Sequence, residues 1–227
     1  MDGRSITAVV TDDGERYVST FDVKNGMMKK VIGGNRSFGS LEFHPDGSWV
    51  TSMSDSQLPS EFYALKDGNL RRLTSIQDDF VAGLSLATVE KFSSTSKDGV
   101  VVSNLLFLPA SAKKEKLPVI FYIHGGPVGQ DDFGFDLTRQ MLAAKGYAVI
   151  AVNYRGSNGR GIDFCKSIYA DWGNKEVLDI QGAADYLISK GIIDGNRMGI
   201  GGWSYGGILT DYTIAKDTRF KAAISGA

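Results

Sequence analysis

The sequence predicts an α/β fold with a doubly wound, mostly parallel sheet, preceded by a region of β-hairpins. Three observations predict it: two copies of one hairpin pattern before residue 88, alternating apolar strands and helices from residue 89 onward, and a glycine-flanked serine between a strand and a helix near residue 204. With 42% hydrophobic residues and a net charge of −1, the 227-residue chain can bury a sizeable core and shows no electrostatic footprint for nucleic acid or membrane surfaces.

Residues 1–88 contain a repeated hairpin. Residues 21–31 (FDVKNGMMKKV) align without gaps with residues 63–73 (YALKDGNLRRL), an offset of 42 residues. That offset falls within the roughly 40 to 45 residues of a four-stranded propeller blade. Each copy places Asn-Gly or Asp-Gly between two strands, the dipeptides that two-residue hairpin turns favour, and residues 12–14 and 44–47 add further turn signals. We therefore predict about two blades of a β-propeller here.

Residues 89–227 alternate between strands and helices. A continuous apolar run over residues 117–124 is typical of a strand buried on both faces of a sheet. The elements predicted after it are a helix at about 135–145, a strand at 147–153, a helix near 175–190, a strand at 197–201, a helix at 208–215 and a strand at 220–225. This order predicts parallel strands with helices on both faces of the sheet.

The segment Gly202-Trp203-Ser204-Tyr205-Gly206 has the form of a nucleophile elbow, a sharp turn from strand to helix with serine at its apex. The residues two before and two after the serine crowd together, so both must lack a Cβ. Ser204 would lie at a helix N-terminus, where the N–H of Tyr205 is free to bind a developing oxyanion. The motif predicts an α/β-hydrolase fold and a serine hydrolase, although GxSxG alone also occurs in turns with no chemistry.

A second glycine motif, His124-Gly125-Gly126-Pro127, follows the apolar run at 117–124. In hydrolases of this fold the second oxyanion donor comes from the loop after an earlier strand. Gly126 is the candidate donor, because a residue without a side chain lets its N–H approach the substrate carbonyl closely. The alternative is an ordinary glycine turn fixed by Pro127.

Three motifs occur in a fixed order: HGGP at 124–127, NYRGS at 153–157 and GWSYGG at 202–207. Together they resemble the prolyl oligopeptidase family of serine peptidases over most of residues 89–227, and HGGP resembles its acylaminoacyl peptidase branch. The resemblance implies hydrolysis of oligopeptides or N-acylated peptides through an acyl-enzyme on Ser204, with a propeller that restricts access. It also assigns His124 to the oxyanion loop, not to the role of general base. The residues expected to shape the site are His124, Gly125, Gly202, Gly206 and Arg155.

The catalytic triad is expected to be incomplete in these 227 residues. In this fold the acid and the histidine follow the serine in the chain, yet the 23 residues after Ser204 contain no histidine. We therefore expect an internal fragment of a longer enzyme, inactive alone, with an incomplete hydrolase domain at 89–227 and a partial propeller at 1–88. Two alternatives stay open: a carboxylesterase, which uses the same nucleophile and oxyanion hole, and a non-catalytic fragment or pseudoenzyme that only binds.

The remaining polar motifs predict no cofactor. Gly156, Gly159 and Gly161 do not have the spacing of a dinucleotide fingerprint, and we expect no helix to begin at Gly161. Arg155 is expected to pair with an acid, and Asp131 to lie in a solvated loop or helix cap. No zinc cluster is present, and the single cysteine, Cys165, excludes an intrachain disulfide. We expect a peptide substrate and no metal; homo-oligomerisation is left open, and the cytoplasm is favoured as the compartment.

Overall fold

The computed structural model describes residues 3–110 and 112–227, which form two compact units. The first unit runs to Leu84 and includes Asp132–Asp136. The second unit consists of Ser85–Asp131 and Leu137–Ala227.

The first unit is a seven-stranded sheet built from two antiparallel groups. The first group is β1 (Ser5–Asp12), β2 (Glu15–Asp22) and β3 (Met28–Ile32); the second is β4 (Arg36–Phe43), β5 (Trp49–Asp55), β6 (Glu61–Lys66) and β7 (Asn69–Arg72), followed by the short helix α1 (Asp78–Val81). The groups meet where β2 pairs with β4 in parallel, at Arg16 and Ser37. The second group is a four-stranded meander, as in a propeller blade.

Two predicted turns of this unit have the expected geometry. Asp13 and Gly14 link the paired residues Asp12 and Glu15, and both have positive φ, 43° and 82°. The second copy of the repeat is equivalent, with φ of 50° and 77° at residues 67 and 68. Positive φ at both central positions is the requirement of a type I′ turn.

The Asn25-Gly26 turn in the first copy of the repeat differs from the prediction. The N–H of Asp22 bonds to the carbonyl of Met27, so four residues form the loop, and within it only Gly26 has positive φ. The reason is the Asp22 carboxylate, which accepts the N–H groups of Lys24 and Asn25 at 2.9 and 3.0 Å. An Asp that bonds its own backbone in this way stabilises a wider turn.

The second unit is a six-stranded, mostly parallel sheet with helices, as predicted. Its elements are β8 (Thr88–Thr95), β9 (Val101–Leu108), β10 (Leu117–Ile123), α2 (Leu137–Ala144), β11 (Ala148–Val152), α3 (Gly161–Lys166), α4 (Lys175–Ser189), β12 (Ile193–Trp203), α5 (Tyr205–Lys216) and β13 (Phe220–Gly226). The strand order is β13-β12-β10-β11-β9-β8. The strands from β13 to β11 are parallel to one another, and β9 and β8 add antiparallel pairs.

The core of this unit lies between the sheet and α4. The α4 residues Val177, Ile180, Ala184 and Leu187 are buried, which confirms the predicted apolar stripe, and Ile188 packs at its edge. β10 differs from the prediction, since its residues are alternately buried and half-buried. Its less buried face lines an open cleft of about 500 Å³ shared with β12 and β13.

Helix α3 contradicts the prediction that no helix begins at Gly161. It spans six residues, and its N-cap residue Arg160 forms no side-chain capping bond. Sequence reasoning relies on Ser, Thr, Asp or Asn at that position, so the capping signal was missing. None of the helices in the described residues is long and apolar enough to cross a membrane.

Candidate active site

Ser204 occupies the turn between β12, which ends at Trp203, and α5, which begins at Tyr205. Its backbone has φ of 57° and ψ of −124°, a conformation that costs free energy for any residue with a Cβ. The N–H of Ser204 donates to the carbonyl of Gly226 on β13 at 2.9 Å, which helps to hold this conformation. The residue is exposed, so a substrate can reach its hydroxyl.

The glycines on either side of the elbow are required by close backbone contacts. A Cβ on Gly202 would lie 2.7 Å from the carbonyl carbon of Gly206 and 2.5 Å from the carbonyl oxygen of Ile123. A Cβ on Gly206 would lie 2.2 Å from that same oxygen. All three distances are too short for a side chain. A Cβ on Gly202 would crowd Gly206, as the motif predicts, whereas a Cβ on Gly206 would crowd the end of β10.

The HGGP loop lies beside Ser204 because β10 and β12 are adjacent parallel strands, with Ile123 opposite Gly202. A Cβ on Gly125 would lie 3.3 Å from Ser204 Cβ and 3.8 Å from its Oγ. Gly126 has φ of 134°, and a Cβ there would lie 2.6 Å from the nitrogen of Val128. The loop therefore depends on glycine for its shape and brings backbone close to the serine.

Tyr205 is the first residue of α5. The first N–H groups of an α-helix have no carbonyl partner within the helix. The helix dipole adds partial positive charge at the same place. The structure therefore brings together Ser204 and both predicted oxyanion-hole segments, one at the start of α5 and one in the HGGP loop.

His124 is held by partners other than Ser204. Its Nδ1 lies 2.8 Å from the carbonyl oxygen of Gly125 and its Nε2 lies 3.0 Å from Ser157 Oγ. Its ring stacks on Tyr154 with centroids 4.4 Å apart, and the Tyr154 hydroxyl donates to the His124 carbonyl at 2.9 Å. Burial lowers the pKa of His124, which favours a neutral ring. Because the Gly125 carbonyl can only accept, Nδ1 donates to it and Nε2 accepts from the Ser157 hydroxyl.

Arg155 lies in an ion-pair network, as predicted. Its Nε is 3.1 Å from both carboxylate oxygens of Asp179, and its N–H donates to that carboxylate at 2.7 Å. Its guanidinium also pairs with Asp98 and donates to the carbonyl of Lys175. The Arg155 and Asp179 side chains are 5% and 0% exposed, so this network fixes the 153–157 loop against α4.

Asp131 corrects the expectation of a solvated acid. It is 8% exposed and pairs with the buried Arg139 at 2.8 Å. Its N–H donates to Asn153 Oδ1 at 2.7 Å, which joins the HGGP loop to the NYRGS loop. A charge buried in this way requires a partner, and the sequence alone gave no sign of Arg139 in that role.

Three residues that the sequence prediction did not name also belong to the site. Tyr154 and Ser157 contact His124, and both lie in the NYRGS motif, which was the available signal. Glu176, buried under Tyr205, lies on the amphipathic helix α4, and the sequence gave no signal for it. Within the described residues, no group of three His, Cys, Asp or Glu side chains could hold a metal ion.

Comparison with known proteins identifies the family that this sequence matches. The model of the prolyl oligopeptidase family matches residues 133–227. An uncharacterized peptidase of Bacillus subtilis, YuxL, is 32% identical over 228 residues, which is 99% of this chain and 35% of that protein. Residues 133–227 belong to the prolyl oligopeptidase family. This membership confirms the resemblance carried by the three motifs.

Two further relatives differ in the substrates that their names imply. Dipeptidyl aminopeptidase BIII of Pseudoxanthomonas mexicana is 31% identical over 76% of this chain and 26% of its own length. The acylaminoacyl peptidase of Pyrococcus horikoshii superposes with a TM-score of 0.87 and 27% identity, over 99% of this chain and 36% of that one. This likeness confirms the predicted fold class, propeller blades followed by an α/β-hydrolase fold. The chain spans between 26% and 36% of the length of these relatives.

Proposed function

We propose that this chain carries the nucleophile and the oxyanion hole of a serine peptidase that hydrolyses oligopeptides or N-acylated peptides. The observation that carries the proposal is the strained, exposed Ser204 at the start of α5, packed against the HGGP loop through contacts that only glycine permits. Strain of this kind persists where the surrounding structure maintains it, and it concentrates at catalytic residues.

Each candidate residue has a role in this mechanism. Ser204 Oγ attacks the scissile carbonyl carbon while a general base takes its proton, and the negative charge that develops on the carbonyl oxygen is stabilised by the N–H groups of Tyr205 and Gly126. The C–N bond then breaks, the proton passes to the leaving amine, and an acyl-enzyme remains on Ser204. Water hydrolyses the ester, releases the acid and restores the serine.

Positioning of the oxyanion loop is the role we propose for His124 and Arg155. His124 has a lowered pKa and both its ring nitrogens have partners in the loops, which argues against general-base duty. Gly125 permits the close approach to Ser204, and Gly202 and Gly206 permit the elbow. Arg155 holds the loop after β11 in place through Asp179.

We assign the general base of the proposed triad to sequence beyond Ala227. The only other histidine, His44, forms a turn with Asp46 in the first unit, between β4 and β5. Without a base, the Ser204 hydroxyl stays neutral and is a poor nucleophile. We therefore propose that the 227-residue chain alone is close to inactive, and that a longer protein with the acid and the histidine is the working enzyme.

Turnover by the full-length enzyme tests the substrate class. We expect hydrolysis of N-acetylated peptide p-nitroanilides and of short oligopeptides, abolished by Ser204→Ala and unchanged by Ser189→Ala, which removes an exposed hydroxyl on α4. Hydrolysis of p-nitrophenyl esters without any peptide cleavage would replace the peptidase by a carboxylesterase. Binding of peptides without turnover of either substrate would contradict both enzymes and leave a binding protein.

A further inference from the structure

Glu176 is a buried carboxylate beneath the nucleophile elbow. It lies in the first turn of α4, and its side chain is fully buried. Oε1 accepts the N–H of Gly173 at 3.0 Å and the hydroxyl of Tyr205. Oε2 has no hydrogen-bond partner within the described part of the chain.

This arrangement lowers the stability of the folded chain. Among the described residues no cationic side chain pairs with Glu176, and its neighbour Lys175 pairs with Asp171 at 3.7 Å instead. A buried carboxylate without a cation costs free energy, and an apolar side chain of similar volume would fill the same space at lower cost. A role in addition to packing would account for its presence.

The group that Glu176 holds directly is Tyr205, the residue after Ser204. The Tyr205 ring is 3% exposed and makes an edge contact with Trp172, with centroids 5.1 Å apart. On its other side it stacks on Tyr154 at 6.0 Å. Burial, together with the hydrogen bond to Glu176, raises the pKa of Tyr205, so the hydroxyl stays protonated and donates.

The rings of Tyr205, Tyr154 and His124 form a column that reaches the other half of the oxyanion hole. Tyr154 stacks on His124 at 4.4 Å and donates to its carbonyl, and His124 begins the HGGP loop. One end of the column therefore contacts Glu176 and the other contacts the Gly125–Gly126 segment. Both candidate oxyanion donors are attached to it, one through the backbone of Tyr205 and one through His124.

We propose that Glu176 is a positioning residue, which fixes the N–H of Tyr205 in the oxyanion hole by accepting the Tyr205 hydroxyl. This inference rests on the proposed function, since it assigns the Tyr205 N–H the task of binding the oxyanion. The hydrogen bond, not the negative charge, does the positioning, because it is the contact that defines where the Tyr205 side chain lies. Small displacements of such a donor reduce the rate of the chemical step more than they reduce substrate binding.

A double-mutant cycle in the full-length enzyme tests this role. Glu176→Met removes the acceptor while keeping an unbranched side chain, and Tyr205→Phe removes the donor. Each is expected to lower kcat by about tenfold or more with KM within about twofold. The double variant is expected to lose no more than the stronger single variant, because both remove the same bond. Glu176→Gln keeps Oε1 as an acceptor and is expected to retain kcat within about threefold.

Thr213→Val is the matched control, since it removes another buried side-chain hydrogen bond of α5, from Thr213 Oγ1 to the carbonyl of Leu209. It is expected to leave kcat and KM unchanged. Normal kcat in Glu176→Met, additive losses in the double variant, or a loss in Glu176→Gln equal to that in Glu176→Met would each overturn the proposal. If Glu176→Met does not fold, Tyr205→Phe and Glu176→Gln decide the question.

The rate of fluorophosphonate labelling of Ser204 separates this inference from the proposed function. If the wild type labels but cleaves no peptide, the peptidase proposal fails, while the ratios of labelling rates among the same variants still test Glu176. If the wild type does not label, the reactive serine itself is disproved, and the role of Glu176 is disproved with it.

Discussion

At the scale of single residues, the glycines are the part of the site that the sequence predicted best. The crowding of Gly202 against Gly206 follows from the GxSxG spacing and is present, whereas the contact of Gly206 with Ile123 depends on the packing of β10. The partners of His124 and Glu176 could not be predicted, because Ser157 and Tyr205 lie 33 and 29 residues away in the chain. Such contacts depend on tertiary packing, which a local pattern does not describe.

Gly206→Ala is expected to destroy the elbow. Its methyl group would lie 2.2 Å from the carbonyl oxygen of Ile123, so either β10 or the start of α5 must shift. We expect the second unit to lose about 1 to 3 kcal/mol of stability, measured by urea unfolding, and labelling of Ser204 to become undetectable. Gly199→Ala on β12, the strand that leads into the elbow, is the control, since the nearest neighbour of its methyl group would be at 3.6 Å. Equal stability and labelling in the two variants would show that the crowding is not real.

At the scale of elements, periodicity predicted the long helix and the parallel strands, and it failed where another signal was required. The apolar stripe of α4 lies in the core as expected, and the predicted helix at 175–190 matches α4 to within one residue. α3 lacks a capping residue, so no local rule found it. β10 looked equally apolar on both faces, and only the packing of its neighbours distinguishes the two.

Arg155→Met is expected to loosen the loop between β11 and α3 from α4. The substitution leaves Asp179 buried without its cation, so we expect a loss of about 3 to 5 kcal/mol in the unfolding of the second unit. Arg197→Met breaks the exposed ion pair with Asp194 and is expected to cost much less stability than Arg155→Met, because solvent screens that pair. Similar small losses for both variants in chemical denaturation would contradict the structural role of Arg155.

At the scale of the whole molecule, the sequence predicted the order of the two folded regions but did not reveal a complete catalytic triad. The 42-residue repeat and the βαβα pattern indicated propeller blades followed by a hydrolase sheet, and the fold has both. The acid and base of the triad could not be located, because no histidine follows Ser204 in the 227 residues. We therefore propose that Ser204 is the nucleophile of an enzyme whose base lies in sequence beyond this chain.

The most direct test is fluorophosphonate labelling followed by mass-spectrometric mapping of the modified peptide, on the full-length enzyme and on the 227-residue chain. Our expectation is a single label on Ser204 in the full-length enzyme and labelling slower by about a hundredfold or more in the short chain, in which no histidine follows Ser204. A label on any other residue, no label in the full-length enzyme, or equally fast labelling of the short chain would contradict it.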